Sequence, residues 1–364
     1  MNKQSKIYVA GHTGLIGSTI LKKLQQDGFC NIICKTHQEL DLMNQEAVKY
    51  FFEKEKPDCV FFCAAKVGGM LAQLNQRAEF LYNNLVMQSN VIHYSYLNGV
   101  KKLIYLGSIC IYPEEVQLPI KESSLLTGKL QYNNEPYAIA KIAGLKMCEF
   151  YSLQYGVDYI SIMPVSIYGS NDNFDIQTAH VQAAIFRKIY LAKLLNECNY
   201  KELIDDLGVK TKEEAFMILK QNNINDKSVK LLGTGNSRRE FLHCEDLAEA
   251  SIYIMKNISF NEVVEREGWN QGNAHINIGT GEDISIKELA YMIKDILEYR
   301  GEVLFENKME NDGTARKVID TNKIRALGWH YKIELRDGLV RMYHDYKKGV
   351  KQNEKIYTSF INLG

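Results

Sequence analysis

Tyr137 and Lys141 lie four residues apart in the run NEPYAIAK, and Ser108 ends the apolar run KLIYLGS. On a helix that spacing puts a phenol and an ammonium on one face. A serine at a strand end sits where α/β sheets bind ligands, at the carboxyl edge. Such a set suits proton transfer to a carbonyl oxygen. A phenol can do this near neutral pH when a nearby ammonium, together with the positive ring of an oxidised cofactor, lowers its pKa. Read alone, Tyr-x-x-x-Lys is equally a surface pair. Cys110, two residues beyond Ser108, is equally a small apolar filler.

The elements that would position this set begin with KIYVAGHTGLIGSTILKKL. It reads as a strand, the loop Gly11-x-x-Gly14-x-x-Gly17, then a helix. Gly11 permits the tight turn, Gly14 lets the backbone approach a pyrophosphate, and Gly17 lets helix and strand pack closely. Free N–H groups at the helix start suit phosphate. This context, strand before and helix after, is the one a dinucleotide loop requires. At the end of the second strand an acid would hold the ribose of NAD, whereas CKTHQELDL offers Lys35 and His37, with Glu39 arriving late. A basic neighbourhood favours the 2′-phosphate of NADP; a solvated loop charge is the competing reading. Asp41 either caps a helix or meets the adenine amine.

Strand candidates at 6–10, 31–34, 59–65, 102–108 and 159–165 alternate with helical spacing at 15–27, 44–55, 75–98 and 136–155. That rhythm predicts an α/β fold, a Rossmann-type doubly wound parallel sheet covered on both faces. Later strands are expected at 229–233, 275–279 and 302–306, and helices at 180–195, 245–256, 285–299 and 335–347. They read as a smaller α/β substrate-binding lobe. The expected division is a first domain at 1–165 joined by about 240–258, and a lobe at 166–239 and 259–364. Residues 190–228 are charged and amphipathic and read as two helices joined at Gly208. A surface insertion is the favoured reading, with a substrate cap or an oligomer contact as the sharper one.

The chain has 364 residues, with 44 basic and 44 acidic side chains. Balanced charge gives no pull toward nucleic acid or an anionic membrane. No apolar run is long enough to span a bilayer, and the N-terminal run lacks a secretory signal pattern, so a cytoplasmic protein is expected. The eight cysteines are Cys30, Cys34, Cys59, Cys63, Cys110, Cys148, Cys198 and Cys244. They form no C-x-x-C pair. Cys30/Cys34 and Cys59/Cys63 lie in or beside strand-like runs and read as core thiols; no disulfide or metal site is expected.

The stretches AGHTGLIGS, AAKVGG, LGSICIYP, NEPYAIAKIAGLKMCE, REFLH, INIGTG and DGTARK together resemble the extended short-chain dehydrogenase/reductases, and within them the GDP-L-fucose synthase group. The resemblance implies a reductase triad of Ser108, Tyr137 and Lys141. It implies an epimerase acid/base pair of Cys110 and His180. It extends the NADP(H) cradle to His12, Thr13, Leu15, Ile16, Leu42, Ala64, Leu106, Gly107, Pro164, Ile167 and His180. Contacts to a GDP-linked 4-keto-6-deoxy sugar fall on Lys188, Leu232, Arg239, Asp312 and Lys317. A homodimer through the helices near 75–98 and 136–155 is implied as well.

The implied reaction is NADPH-dependent C4 reduction with C3/C5 epimerisation. A C4 ketone acidifies both neighbouring carbons, and a thiol and an imidazole are suited to moving those protons. Departures from the group's pattern fall at Thr13, His37, Ser166 and Leu232, and the 190–228 segment enters the substrate lobe. They leave open a C4 reductase acting on an already epimerised sugar such as a heptose. A 4,6-dehydratase would want an acidic pair after the serine, and SICIY has none. A UDP-sugar 4-epimerase needs no Cys/His pair. A non-catalytic nucleotide-binding protein would be expected to have a broken Ser/Tyr/Lys set.

Overall fold

The computed structural model describes residues 1–176, 178–267, 273–309 and 312–351. The stretch 352–364 that the sequence reading placed in the second lobe lies outside the described residues. In chain order the elements begin with β1 (Ile7–Ala10), α1 (Leu15–Gln26), β2 (Ile32–Ile33), α2 (Gln45–Glu55), β3 (Cys59–Phe62), α3 (Met70–Asn75), α4 (Arg77–Leu97), β4 (Lys102–Leu106), α5 (Glu135–Tyr155) and β5 (Asp158–Pro164). They continue with β6 (Ser166–Tyr168), α6 (Val181–Asn196), α7 (Tyr200–Leu207), α8 (Lys212–Gln221), β7 (Ser228–Leu231), β8 (Arg238–Arg239), β9 (Phe241–His243), α9 (Cys244–Asn257) and α10 (Phe260–Glu267). The last are β10 (His275–Ile278), β11 (Ile284–Ser285), α11 (Ile286–Ile296), β12 (Glu302–Phe305), β13 (Arg316–Lys317), α12 (Asn322–Ala326) and α13 (Leu335–Lys351).

The chain forms two units. The first comprises 1–167, 240–282 and 318–332, and holds a six-stranded sheet in the order β10-β5-β4-β3-β1-β2, every pair parallel. Side-chain alternation sorts its strands onto two cores. Ile7, Val9, Phe61, Ile104, Leu106, Ile160 and Ile162 pack with α1 and α9. Tyr8, Ala10, Val60, Phe62, Leu103, Tyr105 and Tyr159 pack with α2, α4 and α5. Strand order reverses between β1 and β3, and the carboxyl ends of strands at such a switch point are where open α/β sheets bind ligands.

Several boundaries differ from the expectation. Residues 275–278 complete the main sheet rather than the smaller lobe, because this fully buried run pairs with β5 from His275↔Ser161 to Ile278↔Pro164. Residues 259–282 and 318–332 therefore belong with the first unit. The helix expected over 75–98 is α4, and a short helix that was not expected, α3, precedes it and is separated from it at Gln76. Cys30 is exposed rather than core, because β2 is a two-residue edge strand that begins after it.

The described residues of the second unit are those of 168–239, 283–317 and 333–351. It carries a three-stranded sheet, β11-β8-β13, and the parallel pair β12-β7. The 190–228 segment is built into this unit. Helices α7 and α8 are capped by Asn199 and Thr211, and α7 ends on Gly208 at φ +66°. Leu203, Asp206 and Leu207 are buried, so α7 belongs to the core and is no simple surface appendage. Arg187 and Asp206 pair at 3.0 Å with both side chains fully buried, and the Tyr346 hydroxyl donates to Asp206 at 2.7 Å.

Candidate active site

The glycine loop follows β1 directly. Gly11 sits at φ +83°, and a Cβ there would approach the Ala64 nitrogen to 2.7 Å. A Cβ at Gly17 would collide with the Gly11 carbonyl. Both positions therefore require glycine for the chain's own packing. Gly14 differs: a Cβ would meet only the Gly11 oxygen at 3.6 Å, so the missing side chain leaves room for something outside the chain. Gly14 also N-caps α1 without a side-chain hydrogen bond, and the first turn carries no acid. The His12 Nδ1 is buried without a partner. Uncapped N–H groups, open space and an orphaned polar atom fit the pyrophosphate of a dinucleotide. Thr13, Leu15 and Ile16 complete the loop and the first turn of α1.

The region expected to read the ribose lies after β2. Glu39 is turned back on Thr36, accepting its N–H and its hydroxyl, both at 2.8 Å. Those two bonds hold its carboxyl below the usual range. Lys35 lies 4.0 Å from Glu39, and His37, largely exposed, lies 3.7 Å from Asp41. Asp41 accepts the Met43 N–H at 2.9 Å, and the buried Leu42 gives its carbonyl to Asn90. The acid that would grip an NAD ribose is thus committed locally, while the cations stay at the surface.

Ser108, Cys110, Tyr137 and Lys141 all lie in the first unit. Ser108 follows β4 and caps a short 3-10 turn over Ile109–Ile111, its hydroxyl accepting the Cys110 N–H at 3.2 Å. Helix α5 packs against this turn. Lys141 is buried, and its Nζ donates to the Leu106 carbonyl at 2.7 Å and lies 4.7 Å from the Tyr105 ring and 5.8 Å from the Tyr137 ring. Burial pushes its pKa down to about 8, partly offset by the thiols of Cys63 and Cys148. Gly107 bonds the Ile162 carbonyl at 2.9 Å, which joins the ends of β4 and β5.

In the protein alone the pKa of the Tyr137 phenol is set by burial. Burial raises it well above the ordinary value, and Cys110 adds to the rise. A phenol kept protonated is a proton donor, which suits delivery to a carbonyl oxygen more than abstraction. Pro164 ends β5 and Ile167 lies in β6, beyond the same sheet edge.

The remaining candidates lie in the second unit. His180 N-caps α6 through its backbone, and its side chain is open to solvent. The atoms crowding its ring still push the imidazole below its ordinary pKa by desolvation. Arg239 and Lys317 are register partners in the β8–β13 pair. Arg239 also donates to the Asp312 carbonyl at 3.2 Å. The Asp312 carboxylate itself is engaged by Thr234, through its N–H at 2.7 Å and its hydroxyl at 2.6 Å. Lys188, on α6, is half-buried; desolvation lowers its pKa and Glu306 opposes this. Leu232 is 61 % exposed. It lies between Leu231 and Gly233, whose carbonyls accept from Glu306 and Asn307. Arg239, Asp312 and Lys317 thus form one group, and Lys188 and Leu232 approach a second around Glu306.

Residues 7–279 match the profile of the NAD dependent epimerase/dehydratase family. The chain belongs to that family. Among relatives of this epimerase/dehydratase family protein, GDP-L-fucose synthase 1 of Arabidopsis thaliana is 43% identical over 349 residues, covering 96% of this chain and 95% of the relative. A solved GDP-D-glycero-L-gluco-heptose synthase from Campylobacter jejuni, in the presence of NADPH, is 46% identical with TM-score 0.90, covering 95% of this chain and 99% of that one. A GDP-mannoheptose C4 reductase from Campylobacter jejuni with NADP bound is 46% identical with TM-score 0.86, over the same shares.

Sequence reasoning missed the support behind the lysine of this family member. Tyr105 donates to Gln88 at 2.8 Å, and Gln88 donates to the Ala140 carbonyl at 2.7 Å, which steadies the ring above which Lys141 lies. Gln88 is an interior residue of α4 with no local motif, so only tertiary packing reveals it. Glu240 was missed too, although it stands inside REFLH.

Proposed function

We propose that this chain reduces the C4 ketone of a GDP-linked 4-keto-6-deoxy sugar with NADPH, and epimerises C3 and C5 of that sugar as the GDP-L-fucose synthases do. The observation that carries the reading is the grouping of Ser108, Tyr137 and the buried Lys141 in one unit with a glycine loop that leaves space at Gly14. Relatives named GDP-L-fucose synthase, at about this length, support the substrate class. NADPH supplies hydride to C4. Ser108 and Tyr137 hold the C4 oxygen, and the protonated Tyr137 donates to it as charge develops. Lys141 holds the nicotinamide ribose. Cys110 and His180 exchange the protons at C3 and C5, which the same oxygen contacts acidify.

The 46% identity to two Campylobacter jejuni proteins named for GDP-heptose synthesis and C4 reduction favours a second reading, reduction alone on an epimerised heptose. Incubation in D2O without NADPH separates the two. Deuterium entering at C3 and C5 of the GDP-4-keto sugar supports the epimerase; its absence, with NADPH oxidation retained, leaves the reductase. No oxidation of NADPH with either hexose or heptose substrate overturns both.

The working form is proposed to be a cytoplasmic homodimer joined through α4 and α5. Tyr82, Leu97, Phe150, Leu153 and Tyr155 on these helices are exposed apolar side chains that a second copy would cover. No helix among the described residues is long and apolar enough to cross a membrane. Sedimentation at micromolar concentration tests the dimer, and a monomer there would overturn it.

A further inference from the structure

Glu240 is 1 % exposed, and its carboxylate gathers three separate stretches of chain. Oε1 accepts the Thr280 N–H at 2.6 Å and the Gly281 N–H at 2.7 Å, and Oε2 accepts the Ile319 N–H at 2.9 Å. The Thr280 hydroxyl lies 3.3 Å from Oε1. Buried carboxylates are costly unless hydrogen-bonded, and this one is bonded through both oxygens. Burial pushes the carboxyl up to about 7, and the N–H donors of Gly281, Ile319 and Thr280 pull against it. Gly279 is part of the same arrangement: a Cβ there would collide with Oε1.

The three stretches are places where the chain leaves or enters the first unit, at 239/240, 282/283 and 317/318. Beyond them in the chain lie β8, β11 and β13, the strands of the second unit's small sheet. Each is two residues long, and each pairing has only two register pairs: Ile284↔Arg239 and Ser285↔Arg238, then Arg316↔Arg238 and Lys317↔Arg239. Strands that short do little to fix their own register. Asp283 bridges Arg238 and Arg316. Arg239 and Lys317 alternate with those two along their strands and face the other side of the sheet.

We propose that Glu240 is a positioning residue: by holding the three chain crossings together it sets the register of β11-β8-β13 and so aims Arg239 and Lys317 at the diphosphate of the nucleotide sugar. This rests on the GDP-sugar reading given above. Glu240 touches no reacting atom, and its effect is on nucleotide affinity.

The test is calorimetric titration of GDP, and separately of NADPH, into the wild-type chain, Glu240→Gln and Gly279→Ala, with steady-state kinetics on the GDP-4-keto sugar. An amide cannot accept through both ends, so Glu240→Gln loses one side of the clamp. The expected result is GDP affinity weaker by about tenfold and KM for the sugar nucleotide raised to match, a loss of the size one charged hydrogen bond supplies. Values of kcat and NADPH affinity stay within about twofold, since the clamp makes no contact with the cofactor loop. Gly279→Ala keeps the carboxylate and displaces it while also pressing on Ile319 and Val165; it gives the same loss of GDP affinity and carries the test alone if Glu240→Gln does not fold. Unchanged GDP affinity in the folded variants overturns the proposal, as does an equal loss of GDP and NADPH affinity. A wild-type chain that binds NADPH but not GDP overturns the substrate reading itself, and this proposal with it.

Discussion

The Lys141 ammonium donates to the Leu106 carbonyl oxygen at 2.7 Å, so one backbone acceptor at the end of β4 fixes the cation beneath the proposed ketone site. Burial has brought its pKa to about 8. NADPH affinity, followed by fluorescence, is expected to weaken as pH rises through about 8, because the ammonium proposed to bind the ribose is lost. Lys141→Arg should flatten that limb. Stability runs the other way. The unfolded lysine titrates near 10.5, so from about 8 to 10.5 the unfolded chain binds the extra proton and folding becomes more favourable as pH rises. A flat NADPH affinity from pH 7 to 9.5 would refute the assignment.

Tyr137→Phe removes the proposed proton donor and keeps the ring that meets Phe80 edge-on at 6.4 Å. Turnover of the GDP-4-keto sugar should fall by about 10²–10⁴-fold, with melting temperature and NADPH affinity little changed. Full turnover in this variant would overturn the assignment of Tyr137 as the proton donor.

Lys35→Ala should raise KM for NADPH by about tenfold and leave KM for NADH unaltered, since only NADPH carries the 2′-phosphate that a lysine would meet. The ratio of kcat/KM for the two cofactors is the readout. A ratio that does not move would place Lys35 among ordinary solvated loop charges, paired with Glu39 at 4.0 Å.

Arg187→Met strands the Asp206 carboxylate in a fully buried site. The expected cost is about 3–5 kcal/mol by chemical denaturation, most of it recovered by adding Asp206→Leu. Burial already raises the Asp206 pKa, opposed first by Arg187 and then by the Tyr346 hydroxyl. In the single variant the deficit should therefore grow as pH rises above 3.8, because the unfolded acid ionises first. A cost below about 1 kcal/mol would show that α7 does not depend on this pair.

Much of the first unit is local and was readable. Its strands are short apolar runs that each need partners on both sides, and Gly11 and Gly17 are required by contacts within one strand–loop–helix segment. The Tyr137/Lys141 spacing is a property of a single helix turn. Residues 275–278 were harder. Their apolar run is strand-like wherever it pairs, and only the pairing with β5 assigns it to the main sheet. The direction of the Tyr137 shift was also beyond reach, because desolvation depends on everything packed around the ring.

The sequence by itself determined the fold class, the strand–glycine loop–helix segment and the Tyr137/Lys141 spacing, because each is encoded by residue type and short-range spacing. Only the tertiary structure decided that Lys141 is buried against Leu106, that Asp206 ties α7 into the second unit, and that Glu240 gathers Thr280, Gly281 and Ile319. Those contacts join residues far apart in the chain. Their energies come from desolvation and hydrogen-bond geometry, which exist only once the distant segments have met.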